Sequence, residues 1–452
     1  MKTIAFYLPQ FHPIPENNMW WGKGFTEWTN VTRATPLFRG HYQPRLPADL
    51  GFYDLRLAEI RSEQAKLAKE YGLYGFCYHY YWFNGKKLLD LPLNKVLESK
   101  EPDFPFCICY ANENWTRRWD GQDNEILIKQ EYNSDSYREF IRDLIPIFKD
   151  HRYIRLKNKP LLLIYRAKLF PNASEATKIW RQEARKEGFE DLFICKCQSF
   201  GDFGDPRETG FDASVEFPPH GLNIPAIDKY INMIKSSIPH FSGKVFEYSD
   251  AAIQMMLREW PDYKVFKTIM LGWDNSPRIG AMGHLFHNFS IDLYERWLLK
   301  VFKRTIERYP EEERFVFINS WNEWAEGTYL EPDARFGHEY LRATKRAIAS
   351  AEGWEDLISS LNEIIKLTKG QERNERILNG VLNYLENKET TEVLLIELLN
   401  KLEDELFQLR NQSSLMKEKD EIINAMRATK GWRALEKFRY VRNRIFKKEL
   451  IR

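Results

Sequence analysis

Between residues 3 and 351 the chain carries eight short apolar runs that alternate with amphipathic stretches, and few folds accommodate that rhythm. The runs are TIAFYLPQF (3–11), LYGFCYHYYWF (73–83), FPFCICYANENW (104–115), KPLLLIYR (159–166), LFICKCQSF (192–200), DASVEFPP (212–219), KTIMLGWDN (267–275) and RFVFINSWNEW (314–324). Val, Ile, Phe, Tyr and Cys dominate them, as expected of strands buried on both faces. Helical periodicity marks the intervening stretches. In 54–72 the apolar positions are Leu57, Ile60, Ala65, Ala68 and Tyr71, with Asp54 placed to cap the start and Gly72 to close the end. Further helices are expected at 134–150, from Ala173 to Gly188, and at 290–309 and 338–351, with one helix near 249–260 inside a long excursion over 220–265. Eight strands alternating with helices over about 350 residues predict an α/β fold of the (β/α)8 TIM-barrel type. A doubly wound open sheet fits less well, because no GxGxxG turn follows the first strand.

In such a barrel, function collects at the C-terminal ends of the strands, and the unusual residues of this chain fall there. Strand one runs into Gln10 and His12. Strand two ends with His79, Tyr80, Tyr81 and Trp82, and strand three with Asn112, Glu113, Asn114 and Trp115. Gln198 and Glu216 follow strands five and six. Strand seven gives Trp273 and Asp274, then Arg278, and strand eight gives Asn319, Trp321, Asn322, Glu323, Trp324 and Glu326. Unpaired acids are costly to bury, so their convergence on one end of the barrel marks a candidate site. The chain also has 14 Trp and 22 Tyr, more polar-tipped rings than a core requires. Flat aromatic faces suit the C–H faces of sugars.

Glu323 and Glu326 stand three residues apart among indoles. Two carboxylates at one glycosidic bond divide the work: one, kept protonated by apolar surroundings, protonates the leaving oxygen, and the other acts ionised as base or nucleophile. Trp321 and Trp324 are the expected wall and stacking platform. An ExxE pair is also common on a solvated helix face, and the strand-tip position and the flanking indoles argue for chemistry here.

The segment Asn322-Glu323-Trp324-Ala325-Glu326-Gly327-Thr328 resembles the NEWxEGT signature of glycoside hydrolase family 99, the endo-α-mannosidases. The stretch YLPQFHPIPENNMWWGKGFTEWTNV (7–31), with YHYYWF, ANENW and GWDNSPR, is more similar still to the WbsX-type proteins. These carry a family-99-like domain, accompany bacterial O-antigen and capsule genes, and are often described as glycosyltransferases. The resemblance covers about residues 1–350. It implies that Glu323 is the base that removes the sugar 2-hydroxyl proton, closing a 1,2-anhydro sugar. It implies that Glu326 is the acid and then the base that activates water, with net retention and no metal or other cofactor. Family 99 places a His where Ala325 stands, a departure that bears on which sugar is recognised. No other strand-tip residue maps by motif. From position and chemistry, Asn112, Glu113, Trp115, His79, Tyr81, Trp273, Asp274, Arg278, Asn319, Asn322 and, from the first loop, Glu27 are candidates for gripping hydroxyls and stacking rings. Each also has a structural reading: a satisfied core histidine at His79, a barrel plug at Trp273, an ion pair of Arg278 with Asp274 or Glu331, a loop cap at Glu27.

The substrate class expected is an oligosaccharide or polysaccharide, a bacterial surface polysaccharide or a lipid-linked oligosaccharide. Hydrolysis and glycosyl transfer share the first step, and a non-catalytic glycan-binding scaffold is the competing class. A formal net charge of +2 gives no reason to expect nucleic acid. No DxD motif or phosphate-cradling glycine loop supports metal-dependent nucleotide-sugar chemistry.

Five cysteines (Cys77, Cys107, Cys109, Cys195, Cys197) lie in apolar runs and read as buried free thiols of a reducing compartment; with no apolar leader or 18-residue apolar span, the expectation is a cytoplasmic protein. Domain boundaries are expected at 1–352 (barrel), 353–426 (helical appendage) and 427–452. In the appendage, Leu395, Leu398, Leu402, Leu406 and Leu409 give about two heptads, so 354–425 is a candidate homodimer surface. The last stretch is basic and amphipathic. It fits peripheral contact with an anionic inner membrane, a solvated tail or a partner site equally.

Overall fold

A computed structural model describes residues 1–117 and 122–367, with side chains to 116 and from 126 to 355. Eight parallel strands form a closed barrel: β1 (Lys2–Tyr7), β2 (Gly75–Phe83), β3 (Phe106–Tyr110), β4 (Lys159–Ile164), β5 (Phe193–Gln198), β6 (Ala213–Glu216), β7 (Val265–Met270) and β8 (Phe315–Asn319). Each strand pairs with its sequence neighbours, and β1 closes the ring by pairing with both β2 (Ile4 beside Gly75) and β8 (Ile4 beside Phe317). The expected TIM barrel is therefore the fold. Every strand is shorter at its C-terminal end than its apolar run, except β2, because the polar tips leave the ladder as loops.

Strand alternation sorts the side chains. Phe6, His79, Phe217 and Phe317 cluster inside, with Phe6 stacked 5.4 Å from Phe317 and 5.8 Å from His79. The five cysteines are buried and free, and Cys109 Sγ lies 4.0 Å from Cys197 Sγ across the interior. The alternate residues face outward, as Tyr7 does in donating to Gln64 of the first barrel helix at 2.7 Å.

The outer layer holds α1 (Ala58–Glu70), α2 (Leu91–Ser99), α3 (Ser134–Phe148), α4 (Ala173–Lys186), α5 (Asp228–Ser237), α6 (Tyr248–Leu257), α7 (Ile291–Arg308) and, as far as Ile348, α8 (Glu339–Leu367). Local sequence explains their edges. Asn133 caps α3 by accepting from the amides of Asp135 and Ser136. Tyr137, Phe140, Ile141, Leu144 and Ile145 then form its buried stripe. Asp54 does not cap α1: its carboxylate accepts from the Arg56 amide at 2.8 Å, and the helix starts four residues on.

Two features depart from an even barrel. The β5–β6 connection has no α-helix, only a 3-10 turn at Pro206–Thr209. The 220–265 excursion holds two helices, α5 and α6, instead of one. Between them Lys244–Glu247 pairs in parallel with His284–His287 from the β7–β8 connection. Phe38, Ile234, Phe241, Val245 and Leu285 form a separate small core beneath this ribbon.

The chain divides into two compact units at Ile348/Ala349, four residues before the expected boundary. Of the appendage at 353–426 only the continuation of α8 to Leu367 is described; its leucine heptads, the dimer surface at 354–425 beyond that point, and the basic stretch 427–452 lie outside the described residues. Among the described residues no helix is long and apolar enough to cross a membrane.

Candidate active site

One guanidinium organises the barrel mouth. Arg278 sits in a single helical turn, Ser276–Ile279, just after β7. Asp274 anchors that turn. Its Oδ1 accepts the Ser276 amide at 3.0 Å, and its Oδ2 receives His41 Nε2 at 2.7 Å and Gln43 Nε2 at 2.6 Å. His41 Nδ1 accepts the Leu37 amide at 3.0 Å, so the ring donates to Asp274 through Nε2. The Asp274 carboxyl, opposed by burial, is held down to about 2 by His41, with Arg45 adding to the pull. Asp274 is thus an ionised structural anchor, 1 % exposed.

From that turn Arg278 reaches three carboxylates. Its Nε donates to Glu27 Oε1 at 2.9 Å, its Nη1 lies 2.6 Å from Glu326 Oε1, and its Nη2 donates to Glu323 Oε1. The expected pairing with Asp274 or Glu331 is therefore replaced by a pairing with the two signature acids and with the first-loop acid. Glu27 is fully buried and also accepts from Asn30 at 3.0 Å. Burial pushes the Glu323 carboxyl up to about 7, against the pull of Arg278 and with the repulsion of Glu326 added. Burial raises Glu326 as well, again against Arg278. Burial pulls the His79 imidazole down, but Cys109 and the charges of Glu323 and Glu326 reverse this and leave it raised. His79 lies inside the barrel, with Tyr165 and Phe217 edge-on at 6.3 Å.

The loop that carries the acids is held from below. Its hairpin pairs Asn322–Glu323 with Thr328–Tyr329 around the turn Trp324–Glu326. Gly327 closes the turn with a φ of +63°, and a Cβ there would meet Arg45 Nε at 2.9 Å. Gly327→Ala is expected to cost about 1–3 kcal/mol and to displace Glu326, read as a lower urea midpoint together with lost activity.

Several sequence candidates turn out to build this scaffold instead of facing a ligand. Trp321 is fully buried against Phe76 at 5.1 Å. Trp324 is 1 % exposed, stacks 3.8 Å from Tyr329, and donates Nε1 to Glu331 at 2.6 Å. Neither indole is a sugar platform, because tertiary packing has already taken both faces. Asn322 is fully buried and clasps Leu8 through both backbone groups, at 2.7 Å and 3.0 Å, locking the β8 loop to β1. Asn319 donates to Pro218 O at 2.8 Å. Asn112 is likewise buried, clasping the Arg166 backbone at 2.9 Å and 2.8 Å. Trp273 is buried, and its carbonyl accepts the Phe286 amide of the ribbon at 2.8 Å. Glu216 turns away from the mouth to Lys267 at 2.7 Å.

The candidates that remain at the mouth are Glu27, Tyr81, Trp115, Glu113, Arg278, Glu323 and Glu326, with His79 inside the barrel. Tyr81 is partly buried, accepts from Gln10 Nε2 at 3.0 Å, and packs 5.3 Å from Trp115. Glu113 pairs with Arg166, whose guanidinium lies 3.7 Å over the Phe200 ring. Sequence reasoning missed Arg166, and it named Glu331 only as a partner for Arg278, not as the acid beneath Trp324. Glu331 is raised by burial to about 7 while accepting from Trp324, Gln64 and Tyr53. Its position inside an ordinary-looking loop, LEPDAR, gave no signal of that role.

A family model described as glycosyltransferase WbsX matches residues 3–344, the whole barrel. The chain belongs to the WbsX glycosyltransferase family. That agrees with the resemblance carried by its N-terminal and strand-tip motifs. The protein WxcX from two strains of Xanthomonas campestris pv. campestris is 45 % identical over 348 residues, covering 77 % of this chain and 50 % of each relative. The chain thus spans about half the length of the curated relatives it matches. Solved structures that resemble it include the GH99 endo-alpha-mannosidase from Bacteroides thetaiotaomicron, at 14 % identity and a TM-score of 0.48 over 77 % of this chain and 97 % of that one. A glycoside hydrolase-like protein aligns at 15 % identity and a TM-score of 0.48, over 76 % and 93 %.

Proposed function

We propose that this WbsX-family barrel is a retaining carbohydrate-active enzyme in which Glu323 and Glu326 break a glycosidic bond of a bacterial surface polysaccharide or lipid-linked oligosaccharide. The observation that carries the proposal is the shared guanidinium: Arg278 holds both acids at one point of the mouth, 2.6 Å from Glu326 and in hydrogen-bond contact with Glu323. Glu323, raised to about 7, is a stronger base than a free carboxylate and suits removal of a proton from the 2-hydroxyl. The alkoxide oxygen attacks C1, a 1,2-anhydro sugar closes, and the proton of Glu326 goes to the leaving oxygen. Glu326 then takes a proton from water, or from an acceptor hydroxyl, as that oxygen opens the ring at C1, and Glu323 returns its proton to O2. Arg278 offsets the charge left on each carboxylate in turn. No step calls for a metal. Tyr81 and Trp115 supply the ring faces that Trp321 and Trp324 do not.

The choice between hydrolysis and transfer rests with the acceptor. Mass spectrometry of O-antigen, capsule and α-mannoside panels incubated with the protein tests the reading. Shortened glycans mean a hydrolase and lengthened ones a transferase. Glycans bound but unchanged would replace the enzyme by a binding scaffold.

Acid-limb pH dependence follows from the same pair. The base works ionised, so the rate is expected to rise with pH up to about 7, falling about tenfold per unit well below it. A kcat/KM profile flat from about pH 5 to 8 would contradict this assignment.

A further inference from the structure

The missing helix between β5 and β6 leaves the outer wall of the barrel open. Only the turn Pro206–Thr209 stands there. A cavity of about 440 Å³ remains against β5–β7, within the usual range of small-molecule sites. It is separate from the mouth. Glu216 and Lys267 are outward-facing strand residues, offset by one position from Val215 and Phe266, which pair in register on the inner face.

Its polar walls are built. The side chains of Lys267 and Glu216 are each 3 % exposed and pair at 2.7 Å, and Arg258 Nη1 lies 3.4 Å from the same Glu216 oxygen. Such a buried charge cluster is not a good source of stability, since desolvation cancels most of the attraction. Arg258 is fixed by donating to Gly221 O at 2.6 Å. Gln198 donates Nε2 to Tyr263 at 3.2 Å, and Tyr263 donates to Phe203 O at 3.1 Å. Glu216 Oε2 and Gln198 Oε1 accept nothing from the described residues. Phe203 is exposed at the rim, and Trp260 forms the wall beside Lys267, 4.8 Å from its ring.

The charged residues lining the cavity are Lys267 and Arg258 against Glu216 and Glu259, which leaves no net charge. That balance selects against an ionic ligand. Donors and acceptors set close together beside aromatic rings match vicinal hydroxyls, each of which accepts from one neighbour and donates to another.

We infer that this outer cavity is a second saccharide site, binding one neutral pyranose unit of a glycan away from the barrel mouth. Its hydroxyls accept from Lys267 and Arg258 and donate to Glu216 and Gln198, with the ring against Phe203. The ligand class rests on the glycan reading of the mouth, but the geometry does not.

The test is saturation-transfer NMR of the full chain with methyl α-D-mannopyranoside, methyl β-D-galactopyranoside, methyl α-L-rhamnopyranoside and, as a charged probe, glucose 1-phosphate. Arg258→Ala and Phe203→Ala alter only partly exposed side chains, and thermal melts check that both variants fold. At least one neutral glycoside is expected to bind wild type and Glu323→Gln alike, and about tenfold more weakly in each cavity variant. Binding unchanged by both cavity variants, preference for the phosphate, or no binding of any neutral probe would overturn the inference. Products formed normally with the cavity silent would sink this site alone. Cavity binding with no product from any glycan would sink the enzyme reading and leave the site.

Discussion

Glu323→Gln and Glu326→Gln are each expected to lower turnover by about 10² to 10⁴-fold while leaving glycan binding within a few-fold of wild type. Each glutamine keeps the shape and one hydrogen-bond acceptor for Arg278, so the loss reports proton transfer and not collapse of the mouth. Glu323 is the residue pushed up to about 7, and Glu323→Gln is therefore expected also to abolish the acid limb of the pH profile in whatever activity remains. Burial opposes the negative charge there, so the substitution is expected to be neutral or stabilising near pH 8. The two losses are not expected to add, because the residues act as one unit at one bond. Turnover unchanged in either variant would remove that residue from the chemistry.

Arg278→Met is expected to be more damaging to the fold than either. It strips one cation from three carboxylates, two of them nearly fully buried. Removing one partner of a buried ion pair costs about 3–5 kcal/mol. The pH dependence gives the cause. Without Arg278 the folded-state carboxyls of Glu323 and Glu326 sit further above their unfolded values. Stability from such groups is present below the unfolded value and is lost as pH rises through the folded one. The deficit in chemical denaturation is therefore expected to be larger at pH 8 than at pH 5. Arg278→Lys is expected to rescue little, because an ammonium cannot span three carboxylates as the planar fork does. A deficit independent of pH would mean that Arg278 contributes packing alone.

The barrel was readable because its strands are buried on both faces and its helices carry a clear stripe, as in α3 and α7. The two acids were readable because they fall just beyond β8. Reading the side chains around them was less successful, for one physical reason. A buried polar or aromatic residue in a loop looks the same in sequence whether it faces a ligand or holds the loop. Asn322, Asn112 and Asn319 spend their amides on backbone groups, and Trp324 spends its ring on Tyr329 and its N–H on Glu331. Arg278 was placed near the site, but its three partners come from the first loop and from beyond β8, contacts that local pattern does not encode. Asp274 and His41, 233 positions apart, could not be paired from sequence.

The central claim is that Glu323 and Glu326 act on one glycosidic bond through an intermediate closed by the sugar's own O2. The most direct measurement is a proton NMR time course of the anomeric signal released from whichever glycan the protein processes, with the 2-deoxy form of the same sugar run beside it. The claim predicts that the first product keeps the substrate's anomeric configuration and that the 2-deoxy glycan is left untouched. A first product of opposite configuration, or processing of the 2-deoxy glycan at a comparable rate, would contradict it.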